Sequence, residues 1–289
     1  MLAVLVPPIS SKRFYNFMPI SSTSPKQFLR WAGSKQKLTP KLSLYWSNNY
    51  CRYVEPFMGS ACLFYAIQPT NALLTDINME LVETFTAVRD YPSDVFNAYI
   101  QIPQGKENYY KVRSSDTSTM NPIDRAARFI FLNRFCFNGL YRTNLNGEFN
   151  VPFSSSKTGN LPKYDELLLA SQALKCAEIY SSDFEEVLAK TTEGDFVYLD
   201  PPYAVANRRV FRQYAASCFG IEDLSRLEAA LRTLHKRGVR FVVSYAYCSE
   251  ALSTFRHWKM RKVLIQRNIA GFAKHRRRAA ELIISNCPE

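Results

Sequence analysis

Short apolar runs alternate with polar or helical stretches along most of the chain. The five clearest runs are RYVEPF at 52–57, ALLTD at 72–76, AEIYSSD at 177–183, FVYLD at 196–200 and RFVVSYA at 240–246. Apolar runs that alternate with helical patterns are typical of parallel strands joined by crossover helices. The pattern therefore predicts an α/β fold built on one doubly wound sheet.

The clearest helix precedes the last of these runs. Its leucines fall at 3-4-3 spacing: Leu224, Leu227, Leu231 and Leu234. Glu222 and Asp223 occupy the first turn and Gly238 follows the end, as expected for a helix that packs on the sheet. Two further runs, 261–266 and 279–286, bracket a basic loop and predict an antiparallel pair at the sheet edge.

Two regions lie outside this alternation. Residues 1–25 contain four prolines and many serines without periodicity, and we predict a flexible arm there. Residues 89–175 contain the helical stretch RAARFIFLNRF followed by NGLYRTNLNGEFNVPF, and we predict an inserted subdomain. The flanking segments, 26–88 and 176–289, then form one domain.

The charge balance indicates the kind of partner. Lys and Arg together number 37 against 25 Asp and Glu, which gives a net charge of +12 and favours nucleic acid or an anionic membrane surface. No run approaches the roughly 18 apolar residues that span a bilayer, and MLAVLV at the start is too short for a secretory signal. We expect a soluble, unexported, cytoplasmic protein.

Cysteine and histidine patterns argue against disulfides and metal chemistry. The seven cysteines are scattered singly without a CxxC pair, and the three histidines lie far apart without HxE or HExxH context. We therefore expect no metal site and no histidine-based catalysis.

Acidic residues stand at the ends of four predicted strands: Glu55, Asp76, Asp183 and Asp200. Because the carboxyl ends of parallel strands face one crevice, these side chains are expected to converge. EPFMGSACLF puts Gly59 in a strand-to-helix turn, which lets a ligand approach the backbone but is also compatible with a simple tight turn. Asp76, at the end of the second strand, can accept hydrogen bonds from ribose hydroxyls. This edge is predicted to bind a nucleoside-containing cofactor.

Two further stretches carry candidate chemistry. FLRWAGSKQKL offers an aromatic face and a cation, Trp31 and Lys35, to the same ligand, although a solvated helix start would look alike. FVYLDPPY ends an apolar strand in Asp200, two prolines and Tyr203. Neither proline can donate to a ladder, so the motif alone is also compatible with an ordinary turn.

In this order, RWAGSK, EPFMGS, LLTDIN, NGLYRTNLNGEFNVPF and LDPPY resemble the Dam-type (D12 class, alpha group) adenine-N6 DNA methyltransferases. The resemblance covers about 28 to 286, and the long NGLY stretch is much more specific to the family than DPPY. It implies S-adenosylmethionine as methyl donor, a methyltransferase-type mixed sheet, and a helical and β-hairpin DNA-recognition subdomain inserted at 89–175. Segments 26–88 and 176–289 become the catalytic domain.

The resemblance also implies the catalytic residues Asp200, Pro201, Pro202 and Tyr203. The amine of adenine is a poor nucleophile, and Asp200 with the Pro201 carbonyl would accept its N–H bonds while Tyr203 stacks on a base flipped out of the duplex. Methyl transfer would be direct. The implied cofactor positions are Trp31, Lys35, Glu55, Phe57, Gly59, Asp76, Asp183, Phe184 and Asp200. For Asp183 a purely structural role as a helix cap stays open.

For DNA, the turn at Asn146 and Gly147 between two β-capable arms predicts a ribbon that fits the major groove. Arg142 has the planar fork that reads guanine. The family resemblance implies GATC as target and these DNA-binding positions: Phe137, Asn138, Leu140, Arg142, Asn144 and Pro152. Phe137 would take the place of the intercalating aromatic, with core packing as the alternative.

Several positions depart from the family pattern. AVANRRVFRQY follows DPPY in place of a Ser/Thr-rich run, and Ser34, Ala61 and Ser154 replace common glycines. A catalytically inactive DNA-binding protein and a cytosine-N4 methyltransferase therefore stay open. KHRRR at 274–278 is either a phosphate contact or a solvated loop.

We expect a monomer acting on double-stranded DNA, with a restriction endonuclease at most as a genetic partner.

Overall fold

The computed structural model describes residues 24–144, 146–154, 160–203, 219–266 and 278–288. Its centre is a seven-stranded mixed sheet in the order β3-β2-β1-β4-β5-β7-β6. The strands are β1 (Arg52–Glu55), β2 (Ala72–Asp76), β3 (Ala177–Ser181), β4 (Asp195–Leu199), β5 (Arg240–Ala246), β6 (Lys259–Gln266) and β7 (Arg278–Ser285). Strands β1 to β5 pair in parallel, whereas β7 runs antiparallel to both of its neighbours.

Helices connect and cover these strands. They are α1 (Thr39–Leu42), α2 (Cys62–Ile67), α3 (Met79–Asp90), α4 (Pro92–Ile100), α5 (Lys106–Arg113), α6 (Pro122–Phe135), α7 (Tyr164–Leu174), α8 (Phe184–Ala189), α9 (Ile221–Lys236) and α10 (Ser249–Thr254). The predicted strands, the leucine-rich helix and the antiparallel edge pair are all confirmed. Strand β1 ends two residues before the predicted limit because Pro56 has no N–H to donate to a ladder.

Both faces of the sheet are buried. Tyr53 and Phe196 belong to one apolar cluster, whereas their chain neighbours Val54 and Val197 belong to the other. Side chains of a strand alternate between faces, so a sheet with two buried faces needs apolar residues at consecutive positions. This explains the nearly continuous apolar runs in the sequence.

Helices α4 to α7 lie within residues 89–175. Val95, Tyr99 and Phe131 from these helices share a single apolar cluster with Tyr53 and Phe196 of the sheet. The helices are therefore packed on the sheet through a common core. The division into 26–88, 89–175 and 176–289 stays a prediction.

The stretch after α6 differs from a regular hairpin. Two isolated antiparallel bridges, Cys136 to Phe153 and Thr143 to Phe149, replace a continuous ladder. Asn138 has a positive φ of 57°, which takes the chain out of extended geometry, and Pro152 lacks an N–H. The predicted turn is present, since the Gly147 N–H donates to the Asn144 carbonyl at 3.1 Å.

Some predicted features lie outside the described residues: positions 1–23 of the arm, 204–214 after the DPPY motif, and 274–277 of the basic run. Within the described ranges, no helix has both the length and the apolar character to cross a membrane.

Candidate active site

The acidic strand ends lie at the carboxyl edge of the sheet, as predicted. Glu55 and Asp76 are the last residues of β1 and β2, and Asp200 directly follows β4. These three strands are adjacent in the sheet, with β1 in the centre. Asp183 follows β3, the next strand outward. Topology therefore gathers carboxylates that are far apart in sequence.

Asp200 is held by two buried donors. The Lys35 ammonium lies 2.6 Å from Oδ1 of Asp200, and the Ser244 hydroxyl donates to the same oxygen at 2.9 Å. The hydroxyl of Tyr198 lies 2.9 Å from that of Ser244 and extends the chain of hydrogen bonds into the sheet. Both described contacts use the same carboxylate oxygen, Oδ1.

These contacts set the charge states. Burial raises the pKa of the Asp200 carboxyl above its ordinary value, and the Lys35 ammonium opposes that shift. Burial by itself lowers the pKa of Lys35, yet the surrounding acidic groups, Asp200 first, raise it overall. Lys35 is therefore a protonated, buried ion-pair partner, and the alternative of a solvated helix start is wrong.

Tyr203 is anchored at both its hydroxyl and its ring. The hydroxyl donates to Oε2 of Glu281 on β7 at 2.9 Å, and the ring packs on Tyr245 with centroids 4.9 Å apart. The Lys35 ammonium lies 5.1 Å from the centre of the same ring and 4.0 Å from Glu281. Three side chains from distant parts of the chain thus surround the aromatic of the DPPY motif.

Sequence reasoning missed Ser244 and Glu281. Each carries a visible signal: Ser244 interrupts the buried run RFVVSYA, and Glu281 is the acidic residue in AAELIISN. Both are buried polar side chains in strands. Such residues need hydrogen-bonding partners, and here those partners belong to the DPPY motif.

Asp76 binds the turn that follows β1. Its carboxylate accepts the Gly59 N–H at 3.1 Å and the Asn78 N–H at 3.0 Å. Burial raises the pKa of Asp76 to about 6, against the lowering effect of these backbone bonds. Gly59 has a φ of +46°, and a Cβ there would come within 2.8 Å of the Trp31 ring. A glycine is therefore required for the backbone to lie this close to the indole.

Glu55 is enclosed below the crevice. Its carboxyl is 2% exposed and accepts the Tyr53 hydroxyl at 2.9 Å. Burial raises the pKa of Glu55 well above its ordinary value, and the charges of Asp200 and Asp76 add to the effect. The Glu55 carboxyl is therefore enclosed by protein and bonded to Tyr53.

An aromatic pair borders the crevice near α8. Phe57 stacks on Phe184 with ring centroids 5.3 Å apart. Asp183 caps α8 by accepting the Glu185 N–H at 2.9 Å, and Arg226 donates to the same carboxylate at 2.8 Å. Asp183 thus has the structural role that the sequence left open, whereas contact with a cofactor stays a prediction.

The predicted DNA-binding residues gather on one surface segment after α6. Phe137 is 48% exposed, which rules out core packing, and Asn138 and Pro152 are exposed beside it. Arg142 donates through Nε to Oδ1 of Asn150 at 2.7 Å. The remaining positions, Leu140 and Asn144, are partly exposed.

This segment is fastened to the Trp31 region. The side chain of buried Asn133 accepts the Arg30 N–H at 2.8 Å and donates to the Arg30 carbonyl at 2.6 Å. The rings of Trp31 and Tyr141 stack with centroids 6.0 Å apart. The Trp31 region therefore contacts both α6 and the segment that follows it. Among the described residues, no group of three or more His, Cys, Asp or Glu side chains is arranged to hold a metal ion.

Comparison with known proteins agrees with this geometry. The family model of the D12 class N6 adenine-specific DNA methyltransferases matches residues 31–268. The chain is 29% identical over 280 residues to the Type II methyltransferase M1.LlaDCHI of Lactococcus lactis subsp. cremoris, covering 94% of this chain and 99% of that one.

Two other relatives extend the comparison. The Type II methyltransferase M.MjaIII of Methanocaldococcus jannaschii is 33% identical over 267 residues, which cover 84% of this chain and 92% of that one. The DNA adenine methylase of Escherichia coli K12 is 28% identical over 263 residues, covering 89% and 94% of the two chains. The chain therefore belongs to the D12 class of N6 adenine-specific DNA methyltransferases.

Proposed function

We propose that this adenine-specific DNA methyltransferase methylates the adenine of GATC in duplex DNA after flipping that base into the crevice at the sheet edge. The observation that carries the proposal is Asp200, which directly follows β4 and is held through Oδ1 by Lys35 and Ser244. The proposal leaves its other oxygen, Oδ2, as the acceptor for the adenine amine.

The residues around the crevice fit S-adenosylmethionine, the methyl donor that the family implies. When bound, the donor supplies an electrophilic methyl group on a sulfonium. Asp76, at a strand tip beside the Gly59 turn, has the carboxylate that accepts ribose hydroxyls. Phe57 and Phe184 offer an aromatic wall, and Trp31 covers the glycine turn. We assign these residues to holding the donor, together with Lys35, Glu55, Asp183 and Asp200.

The chemistry of the amine explains the DPPY motif. The lone pair of N6 is delocalised into the adenine ring, so the amine must be held where that pair points at the methyl group. Oδ2 of Asp200 and the carbonyl of Pro201 accept its two N–H bonds and stabilise the positive charge that develops on nitrogen. Pro201 and Pro202 keep the turn rigid, and Tyr203 stacks on the flipped base.

The segment after α6 is assigned to the target sequence. Phe137 is an exposed aromatic of the size needed to fill the gap that a flipped base leaves in the stack. Arg142 has two parallel N–H donors for the acceptors of a guanine. We assign Asn138, Leu140, Asn144 and Pro152 to the same surface. GATC is supported by the resemblance of NGLYRTNLNGEFNVPF to the Dam-type enzymes.

The test measures methyl transfer from labelled S-adenosylmethionine to two matched duplexes, one containing GATC and one with its adenine replaced. We expect N6-methyladenine in the first duplex alone. Label in both would contradict the GATC assignment, and label in neither would contradict the proposed reaction.

The same assay tests Asp200. We expect Asp200→Ala to slow methyl transfer by about 100-fold or more, because it removes the acceptor at the developing charge. DNA binding, measured by fluorescence anisotropy, should survive. A near-normal rate in this variant would contradict the mechanism.

A further inference from the structure

Glu281 is a buried carboxylate whose described partners belong to the catalytic motif and its lysine. It lies on β7 opposite Ala246 of β5, and its side chain is 1% exposed. The Tyr203 hydroxyl donates to Oε2 at 2.9 Å, and the Lys35 ammonium lies 4.0 Å from the same oxygen. A carboxylate is costly to bury unless it is paired, and here Tyr203 and Lys35 supply the pairing.

We propose that Glu281 is a positioning residue for methyl transfer, which acts through Tyr203 and Lys35 without touching the substrate. The inference rests on the proposed roles of Tyr203 as the stacking surface for adenine and of Asp200 as its acceptor. It adds a residue from the end of the chain, 78 positions after Tyr203.

Glu281 restricts the rotation of the Tyr203 ring. A tyrosine ring turns about two side-chain bonds, and a fixed hydroxyl removes much of that freedom. Glu281 holds the hydroxyl, and the ring of Tyr245 packs 4.9 Å from that of Tyr203. The plane on which adenine stacks is therefore set before the base arrives, and a displacement of about 1 Å at such a surface can cost about 100-fold in rate.

Glu281 also changes the electrostatic surroundings of Asp200. Lys35 forms a 2.6 Å ion pair with Asp200, and this pair alone is neutral. Glu281 adds a second carboxylate within 4.0 Å of the ammonium. A carboxylate at this position adds negative potential beside Asp200, which favours the positive charge that develops at N6.

The test compares Glu281→Leu, Tyr203→Phe and the double variant. Rates are measured in a single turnover at saturating S-adenosylmethionine, on whichever adenine-containing duplex the wild-type protein methylates. We expect Glu281→Leu to slow methylation by about 10- to 100-fold while the Kd for DNA stays within about threefold. Because Glu281 acts through the Tyr203 hydroxyl, adding Tyr203→Phe to this variant should slow it by less than about twofold.

Asp195→Asn is the matched control. Asp195 is also a buried carboxylate in an ion pair, 2.7 Å from Arg52, but it lies at the opposite end of β4 from the DPPY motif. This variant should lower the melting temperature and leave the methylation rate unchanged. Should Glu281→Leu fail to fold, Tyr203→Phe decides the question, since it removes the same hydrogen bond and leaves the ring in place.

A wild-type rate in Glu281→Leu, or in Tyr203→Phe where Leu does not fold, would overturn the proposal. Losses that multiply in the double variant would also overturn it, because Glu281 would then act independently of Tyr203. A wrong GATC assignment would show instead as methylation of another duplex, with the effect of Glu281 still measurable there.

Discussion

At the scale of single residues, the orientation of Asp200 depends on hydrogen bonds to one of its two oxygens. The Lys35 ammonium places a positive charge beside the carboxylate, and the Ser244 hydroxyl restricts its rotation. The two donors reach Oδ1 from different parts of the chain. The Ser244 hydroxyl is fully buried and is itself 2.9 Å from Tyr198. A chain of this kind prevents the carboxylate from turning when the amine binds.

We therefore expect Ser244→Ala to reduce the single-turnover rate of methylation by about tenfold, because Asp200 loses one of its two anchors. Ser171→Ala is the matched control: Ser171 is also buried, but it lies on α7 and its hydroxyl donates to the Arg89 carbonyl of α3 at 2.8 Å. Both variants should lose some thermal stability, and Ser244→Ala alone should lose rate. Equal rates in the two variants would contradict the anchoring role.

Asp76 predicts a pH dependence of cofactor binding. Its pKa is raised to about 6 by burial, so the carboxylate is ionised at pH 7 and largely protonated at pH 5. A protonated carboxyl is a poor acceptor for ribose hydroxyls. The affinity for S-adenosylmethionine should fall about tenfold from pH 7 to pH 5, as the ionised fraction does.

Calorimetric titration at several pH values checks this prediction. Asp76→Asn should bind weakly at pH 7 and show no such fall, and a wild-type affinity that is flat over this range would contradict the assignment. The effect of Asp76 on protein stability has the opposite sign: cofactor affinity rises with pH, whereas stability falls. The folded pKa lies above that of the unfolded chain, so Asp76 lowers the free energy of unfolding as pH rises from about 4 to about 6.

At the scale of elements, α6 connects the residues that we assign to the cofactor with those that we assign to the target sequence. Its residue Asn133 holds both backbone groups of Arg30, the neighbour of Trp31. The helix ends at Phe135, directly before the exposed Phe137. A shift of α6 would therefore move Trp31 and the segment after α6 together.

The segment after α6 should read sequence through Arg142. Arg142→Ala should weaken the preference for GATC over a scrambled duplex by about 1–3 kcal/mol, because a guanine loses a two-bond partner. Competitive binding at a fixed salt concentration measures this preference. Equal losses on both duplexes would instead identify Arg142 as a phosphate contact.

At the scale of the whole molecule, the net charge of +12 shapes binding to DNA. Each phosphate that a basic side chain neutralises releases counterions, so the logarithm of affinity should fall linearly with the logarithm of salt, with a slope of about −0.9 per phosphate. Anisotropy titrations between about 50 and 200 mM salt test this prediction. A flat dependence would contradict phosphate-dominated binding, and Arg142→Ala should leave the slope unchanged.

The sequence by itself determined the architecture and the chemistry. Apolar runs alternating with helical patterns predicted parallel strands, and acidic residues after those strands predicted one crevice, because parallel strands end at the same edge. Helix α9 and the turn at Gly147 were also predicted from the sequence, since helices and turns depend on neighbours in sequence. The family followed from local motifs of the same kind.

Only the tertiary structure decided which side chains meet. The burial of Lys35 against Asp200, the bond from Tyr203 to Glu281 and the exposure of Phe137 join or separate residues that no local pattern relates. The irregular hairpin after α6 is a further case, because Asn138 adopts a backbone conformation that its residue type permits but does not require. Periodicity reports which face a side chain lies on, whereas its partner depends on the order of strands in the sheet.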